Sequence, residues 1–370
     1  MKPITKALHH RVSVGETFPA VTPVFQNSAF QAHSPYFYSR KANPNVVEWE
    51  GVVRTLEGAE HAVACTTGMT AISLALSLLK PGDRLAVNSL IYGCSYRLFH
   101  RLVEQRGIHV DVLDLATPAA FAPGTAMVFL ETPTNPFLRS VDIRRTAQRV
   151  KAVNPDALVV VDNTWATPLY QRPLELGADL SLHSATKFLS GHSDVMGGIV
   201  LTARADLHER LADERFYTGA TLDPHSAWLL RRSFQTFELR MRSHREVTLR
   251  MRDFLQKQPQ IAEVYYPEID GTQLKGYGGI LFFRLGKEYA NRYLPFRDAL
   301  TLFDTGTGMA AVTSMVAQPF TGSHASMTAE EKAAMGLGPD LVRLCFGLED
   351  PEDLEQDILQ ALRAMQQSRG

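Results

Sequence analysis

ALVVVDNTWATPLYQRPLELGADLSLHSATKFLSGHSDVMGG, residues 157–198, decides how the rest of the chain is read. It opens on an apolar run that ends in an acid at Asp162, continues through a second short run that ends at Ser184, and reaches Lys187 just before a Gly-rich tail at Gly191, Gly197 and Gly198. An apolar run of this length that breaks off in a polar residue is what a strand buried on both faces looks like as it emerges at a ligand crevice. Upstream, Ala-Met-Val-Phe-Leu-Glu131 ends the same way. Working outward, helical and strand patterns alternate from residue 46. Helices are expected over 46–56, 68–79, 95–105 and 143–153, and strands over 84–87, 126–130, 157–161 and 180–184. That alternation predicts an α/β fold with a mainly parallel sheet covered by helices, its function placed at the strand ends.

The flanks differ from this centre. Residues 1–45 are rich in Pro, Ser, Asn and aromatic side chains without helical period, and read as an extended arm suited to reaching a neighbouring subunit. Over 224–256, Leu229, Phe234, Phe237 and Met241 fall at helical spacing, which predicts one long Arg-rich helix bridging two domains. Beyond it, strands are expected over 280–285 and 341–346. Thr328-x-x-Glu331 reads as a capping box, and Asp350-Pro351 as an N-cap and N1 pair. The expected division is an arm over 1–45, a large domain over 46–235 and a smaller C-terminal α/β domain over 236–370.

The composition excludes several classes. A formal net charge of −1 without a Lys/Arg-rich block disfavours nucleic acid and acidic membranes as partners, and points to a small substrate. Cys65, Cys94 and Cys345 lie far apart with no C-x-x-C pair, so neither a metal site nor a disulfide framework is expected, and a reducing compartment follows. The start lacks the apolar region of a secretory signal, so a protein beginning here and staying in the cytoplasm is expected. Residues 62–79 carry no charge, but Cys-Thr-Thr-Gly68 interrupts them and Lys80-Pro81-Gly82-Asp83 ends them; a buried helix is the better reading than a membrane span.

Chemically, a carboxylate at one strand end (Asp162) suits a protonated ring nitrogen, and hydroxyls beside a lysine (Ser184, Thr186, Lys187) suit a phosphate-bearing aldehyde that the amine can condense with. Those are the requirements of pyridoxal phosphate. Taken singly, Lys187 also reads as a solvated lysine and Asp162 as a helix cap.

The combination resembles the Cys/Met metabolism family of pyridoxal-phosphate enzymes, which includes cystathionine γ-synthase, cystathionine γ- and β-lyases and methionine γ-lyase. The likeness runs through Tyr38-Ser-Arg40-x-x-Asn43-Pro44, Leu56-Glu57-Gly58, Thr67-Gly68-Met69, Tyr92-Gly93-Cys94, Glu131-Thr-Pro-Thr-Asn135-Pro136, Asp162-Asn-Thr164, Ser184-Ala-Thr-Lys187 and Arg343-Leu-x-x-Gly347-Leu-Glu-Asp350, in family order. It implies the aspartate-aminotransferase-like fold (fold type I), a small amino-acid substrate and a homotetramer of dimers with shared active sites. Lys187 would hold the cofactor and move protons at Cα and Cβ. Asp162, with Thr164 beside it, would keep the ring nitrogen protonated. Gly68 and Met69 amides at a helix N-terminus, with Ser184 and Thr186, would bind the phosphate. Tyr38 and Arg40 would reach the phosphate of the neighbouring subunit. Tyr92 would stack on the ring and protonate the leaving group, unless it is a core tyrosine. Arg343 would bind the substrate carboxylate, with Asn135 assisting or merely serving the turn. Cys94 reads either as substrate-facing or as a small buried apolar residue.

One segment departs from the family. Where a Ser-Leu-Gly-x-x-Glu-Ser stretch normally lines the substrate side, this chain reads Gly306-Thr-Gly-Met-Ala-Ala-Val-Thr313-Ser314, leaving Thr307 or Thr313 to supply a hydroxyl. The resemblance implies γ-replacement or γ-elimination of the cystathionine γ-synthase or γ-lyase type, with β-lysis or methionine γ-lyase activity as the alternative and an aminotransferase of the same fold more distant.

Overall fold

The computed structural model describes residues 1–15, 19–306 and 308–367. Its first sheet has seven strands, β1 (His61–Cys65), β2 (Arg84–Asn88), β3 (His109–Leu113), β4 (Thr125–Glu131), β5 (Leu158–Asp162), β6 (Leu180–Ser184) and β7 (Gly198–Thr202), in the order β1-β7-β6-β5-β4-β2-β3. Strands β2 to β6 run parallel, while β7 enters antiparallel between β6 and β1. The expected mainly parallel α/β sheet is therefore present. The apolar runs are its interior: Val159, Val160 and Val161 of β5 and Val128, Phe129 and Leu130 of β4 are buried, because helices cover both faces. Register brings the chemistry to one edge, since Glu131 pairs with Asp162 and Asp162 with Leu182, two residues before Ser184.

Twelve α-helices are described: α1 (Pro3–Leu8), α2 (Pro44–Glu57), α3 (Gly68–Leu76), α4 (Gly93–Arg106), α5 (Ile143–Val153), α6 (Thr167–Tyr170), α7 (Ala205–Thr218), α8 (Pro224–Phe234), α9 (Phe237–Leu255), α10 (Tyr293–Ala299), α11 (Ala329–Ala334) and α12 (Pro351–Gln367). The second sheet, β8 (Ile261–Tyr265), β9 (Ile280–Leu285), β10 (Asp304–Thr305), β11 (Met315–Ala317) and β12 (Leu341–Cys345), has the order β10-β11-β12-β9-β8. Its face packs on α9 and α12 through Met251, Leu255, Phe283, Phe346, Ile358 and Leu362, all buried. Each such side chain contributes roughly 1.5–3 kcal/mol by leaving water. At the middle of this sheet, β12 is buried along its whole length and carries Arg343.

The expected helix ends are found at α11, where Thr328 and Glu331 form the reciprocal capping box, and at α12, where the Asp350 carboxylate accepts from the Glu352 amide at 2.8 Å. Three expectations are corrected. The arm is not wholly extended: Pro3 starts α1, which packs on α2 and buries Ala7 completely. The single helix over 224–256 is two helices, α8 and α9. At the junction, Gln235 and Thr236 amides turn back to Arg232 and Ser233 carbonyls, and Arg240 takes the Ser233 carbonyl at 3.0 Å. A buried guanidinium thus claims an acceptor that a continuous helix needs. The helix expected over 68–79 ends at Leu76, where the Ser77 hydroxyl donates to the Leu74 carbonyl at 2.7 Å.

Candidate active site

A cavity of about 470 Å³ opens where the C-terminal ends of β4, β5 and β6 meet the N-termini of α3 and α4 and the central strand β12 of the second sheet. Eleven of the thirteen residues singled out from the sequence line it: Gly68, Met69, Tyr92, Cys94, Asn135, Asp162, Thr164, Ser184, Thr186, Lys187 and Arg343. Tyr38 and Arg40 do not. Arg40 lies on the outside of α7, its guanidinium 4.4 Å above the Phe216 ring and donating to the Phe216 carbonyl at 2.9 Å. Tyr38 forms an isolated bridge with Ala29 in the arm.

The floor is built by strand register. Asp162 Oδ1 accepts from the Thr164 amide at 3.0 Å and from the Thr164 hydroxyl at 2.6 Å, and the Ser184 amide donates to the same hydroxyl at 2.8 Å. Thr164 therefore ties the end of β5 to the end of β6 and fixes Asp162 relative to the lysine turn. Burial pushes the Asp162 carboxyl above its ordinary range, against the pull of the Thr164 bonds. Glu131, beside it on β4, accepts from the Tyr92 amide at 2.9 Å and is pushed well above the usual carboxylate range by burial and by Asp162. Lys187 follows β6 in a turn closed by its carbonyl to the Gly191 amide at 2.7 Å. Burial, and then the Arg343 cation, lower the Lys187 ammonium below its ordinary value. Thr186 exchanges bonds with Gly197, accepting from its amide at 3.1 Å.

Helix α3 supplies an anion cradle. Thr67 caps it, accepting from the Thr70 amide at 3.1 Å, which leaves the Gly68 and Met69 amides as the donors of the first turn. Glycine is required there, because a Cβ on Gly68 would sit 2.6 Å from Ser184 Cβ and 2.8 Å from its hydroxyl. The Asn135 side-chain oxygen, Oδ1, is buried without a hydrogen-bond partner on the cavity wall.

Tyr92, N-cap of α4, keeps its proton: burial first and the neighbouring Cys94 second push its hydroxyl up to about 12. Cys94 is exposed, which removes the reading of it as a buried apolar residue. Arg343 is buried, reaches the Gly308 carbonyl at 3.0 Å and lines the same cavity as the lysine. Thr313 turns away to Asp304 at 3.1 Å and supplies no hydroxyl to the cavity; Thr307 lies outside the described residues.

The sequence reading gave Glu131 no role beyond a strand end, and it missed Trp165, Met309 and the turn from Gly322 to Ser326 as cavity walls. The turn left no signal, because what holds it is tertiary: a Cβ on Gly93 would meet the Ser323 carbonyl at 2.4 Å, and His324 reaches the Ile91 carbonyl at 3.2 Å.

The sequence profile described as Cys/Met metabolism PLP-dependent enzyme matches residues 5–363. Cystathionine gamma-lyase of Bacillus subtilis is 37% identical, over 98% of this chain and 99% of its own. L-methionine gamma-lyase of Pseudomonas putida is 38% identical over 97% of each chain. Among solved structures, cystathionine gamma-lyase from Lactobacillus plantarum complexed with L-serine is similar with a TM-score of 0.93 and 31% identity, covering 99% of this chain and 100% of that one.

Proposed function

The chain belongs to the Cys/Met metabolism family of pyridoxal-phosphate-dependent enzymes, and from that premise we propose that it carries out γ-elimination or γ-replacement on a sulfur-containing or homoserine-derived amino acid. The observation that carries the reading is the convergence of Lys187, Asp162, Tyr92 and Arg343, from both sheets, on one cavity. The residues fit the cofactor. Orphan amides and a hydroxyl meet where Gly68 has no side chain, which suits a phosphate. A buried carboxyl raised by desolvation gains most from a cationic ring N–H, and both hydrogen bonds from Thr164 use Oδ1, leaving Oδ2 for it. The partnerless Asn135 oxygen calls for a ligand donor.

Gly68, Met69, Ser184 and Thr186 would hold the phosphate, Asp162 and Thr164 the ring nitrogen, and Lys187 the aldehyde carbon. When bound, the cofactor supplies an electron sink that stabilises negative charge at the substrate Cα. Arg343 binds the α-carboxylate, with Asn135 beside it, and fixes which face of Cα meets Lys187. A lowered ammonium pKa leaves more of the Lys187 amine neutral near pH 7, so Nζ takes protons from Cα and then Cβ. Tyr92, which stays protonated, gives its proton to the departing γ-substituent. In elimination one water enters, and 2-oxobutanoate, ammonium and the protonated γ-substituent leave.

The same reading takes the arm over 1–45 to a neighbouring subunit, with Tyr38 and Arg40 at that subunit's phosphate, 46–235 as the cofactor-binding unit and 236–370 as the unit that supplies Arg343. A homotetramer built from dimers and a cytoplasmic location complete it. Among the described residues no helix is long and apolar enough to cross a membrane. The test is product identification with the holoenzyme: 2-oxobutanoate or a new thioether is expected, whereas pyruvate from cystathionine would replace γ chemistry by β-lysis, and amino transfer to a keto acid would overturn both.

A further inference from the structure

Every charged side chain among the described residues lining the cavity already has a use in the proposed function. They are Glu131, Asp162, Lys187 and Arg343. Asp162 and Lys187 serve the cofactor, Arg343 the α-carboxylate, and Glu131, whose Oε2 accepts from the Tyr92 amide at 2.9 Å, is biased toward its uncharged form by burial and by Asp162. What remains for the far end of the substrate is a neutral wall: Cys94, Met309, Gly322, Ser323, Ala325 and Ser326.

This wall is fixed rather than adaptable. Around Met309, the Gly308 carbonyl accepts from Arg343 at 3.0 Å, the Ala310 amide reaches the Cys345 sulfur at 2.9 Å, and the Ser314 hydroxyl meets Glu349 at 2.9 Å. The turn beyond is anchored by buried His324, held to the Ile91 carbonyl at 3.2 Å and kept neutral by burial, its pKa lowered to about 4. Thr313 faces Asp304 instead of the cavity.

We infer that the enzyme selects a γ-substituent that ends in a small uncharged group, a thioether methyl or an acetyl ester, over one that ends in a carboxylate or a second amino acid. The inference rests on the γ chemistry proposed above and narrows its leaving group. A terminal carboxylate or ammonium placed against this wall loses water and finds no opposite charge from this chain. Leaving one such group unsatisfied weakens binding about 10- to 100-fold. A methyl thioether meets the sulfur atoms of Met309 and Cys94, to which a soft apolar group is matched.

The test compares kcat/KM of the holoenzyme on methionine and O-acetylhomoserine with that on cystathionine and O-succinylhomoserine, by 2-oxobutanoate release. The uncharged pair is expected to lead by at least about tenfold. Equal or reversed preference overturns the inference and leaves the γ chemistry standing, whereas no 2-oxobutanoate from any of the four overturns the proposed function and the inference with it. Met309→Lys provides the second arm: it should raise the rate on O-succinylhomoserine relative to O-acetylhomoserine by about tenfold. An unchanged ratio removes Met309 from the wall.

Discussion

Two groups of carboxylates in this molecule, one along α2 and one in the cavity, are handled in opposite ways. Along α2, Glu48, Glu50 and Glu57 are each given a partner by the chain itself: Arg231 at 3.1 Å, Arg215 at 2.6 Å and His183 at 3.1 Å. In the cavity, Glu131 and Asp162 lie side by side on adjacent strands, both pushed upward, while burial lowers Lys187 and Arg343 alike and the Arg343 cation lowers Lys187 further. The first arrangement closes its electrostatics on folding. The second keeps like charges together until a phosphate-bearing cofactor and a zwitterionic substrate arrive, which is how strongly displaced titrations come to gather at a functional site.

The contrast is sharpest if single substitutions separate activity from stability. Lys187→Ala should abolish the visible band of the holoenzyme and lower kcat by about 10³-fold or more, with the thermal midpoint of the apoprotein unchanged or raised, since the removed cation was buried beside another. A large loss of stability would place Lys187 with the α2 pairs instead.

Arg231→Met should do the reverse. It leaves Glu48 buried without its guanidinium, and removing one member of a buried pair costs about 3–5 kcal/mol. Urea unfolding of the apoprotein measures this, and kcat of the surviving folded fraction should stay within about twofold of wild type, an effect below about 0.5 kcal/mol. Tyr92→Phe comes next, with kcat lower by about 10- to 100-fold on a poor leaving group and less on an acetyl ester, because the ester departs without needing a proton as much. An equal loss on both would assign Tyr92 to packing alone.

How much of this was legible before the fold was known follows from what kind of interaction fixes each part. Strands β4, β5 and β6 are visible because burial on both faces demands an unbroken apolar run, and their terminal acids or serine stand out against it. β1 shows only its end, at Cys-Thr-Thr-Gly68, since its His-Ala-Val-Ala-Cys merges with the uncharged stretch of α3 behind it. β3, at the sheet edge, is half exposed, so it has no such run to show. The break between α8 and α9 depends on where Arg240 reaches, which no local spacing encodes. At the site, residues in motifs with their own backbone chemistry were readable. The neutral wall was not, because Met309 and Ser323 face the cavity only through contacts made across the chain by Arg343, Cys345 and Gly93.

The smallest expected effect tests the comparison most directly, through pH. A carboxyl whose folded pKa is raised binds its proton more tightly in the native state than in the unfolded one, so it contributes stability at low pH that is lost as pH rises through the folded value. Asp162 and Glu131 both have that sign. The wild-type apoprotein should therefore lose stability between the ordinary carboxylate range and neutrality by more than Asp162→Asn does, and the two curves should converge on acidification. Adding pyridoxal phosphate should flatten the wild-type curve, because a ring N–H beside Asp162 favours the ionised form and pulls its pKa back down. Urea midpoints at several pH values, with and without cofactor, decide it. Parallel curves for wild type and Asp162→Asn would mean that Asp162 is as well satisfied by the folded chain as Glu48 is, and the distinction between the two buried sets would disappear.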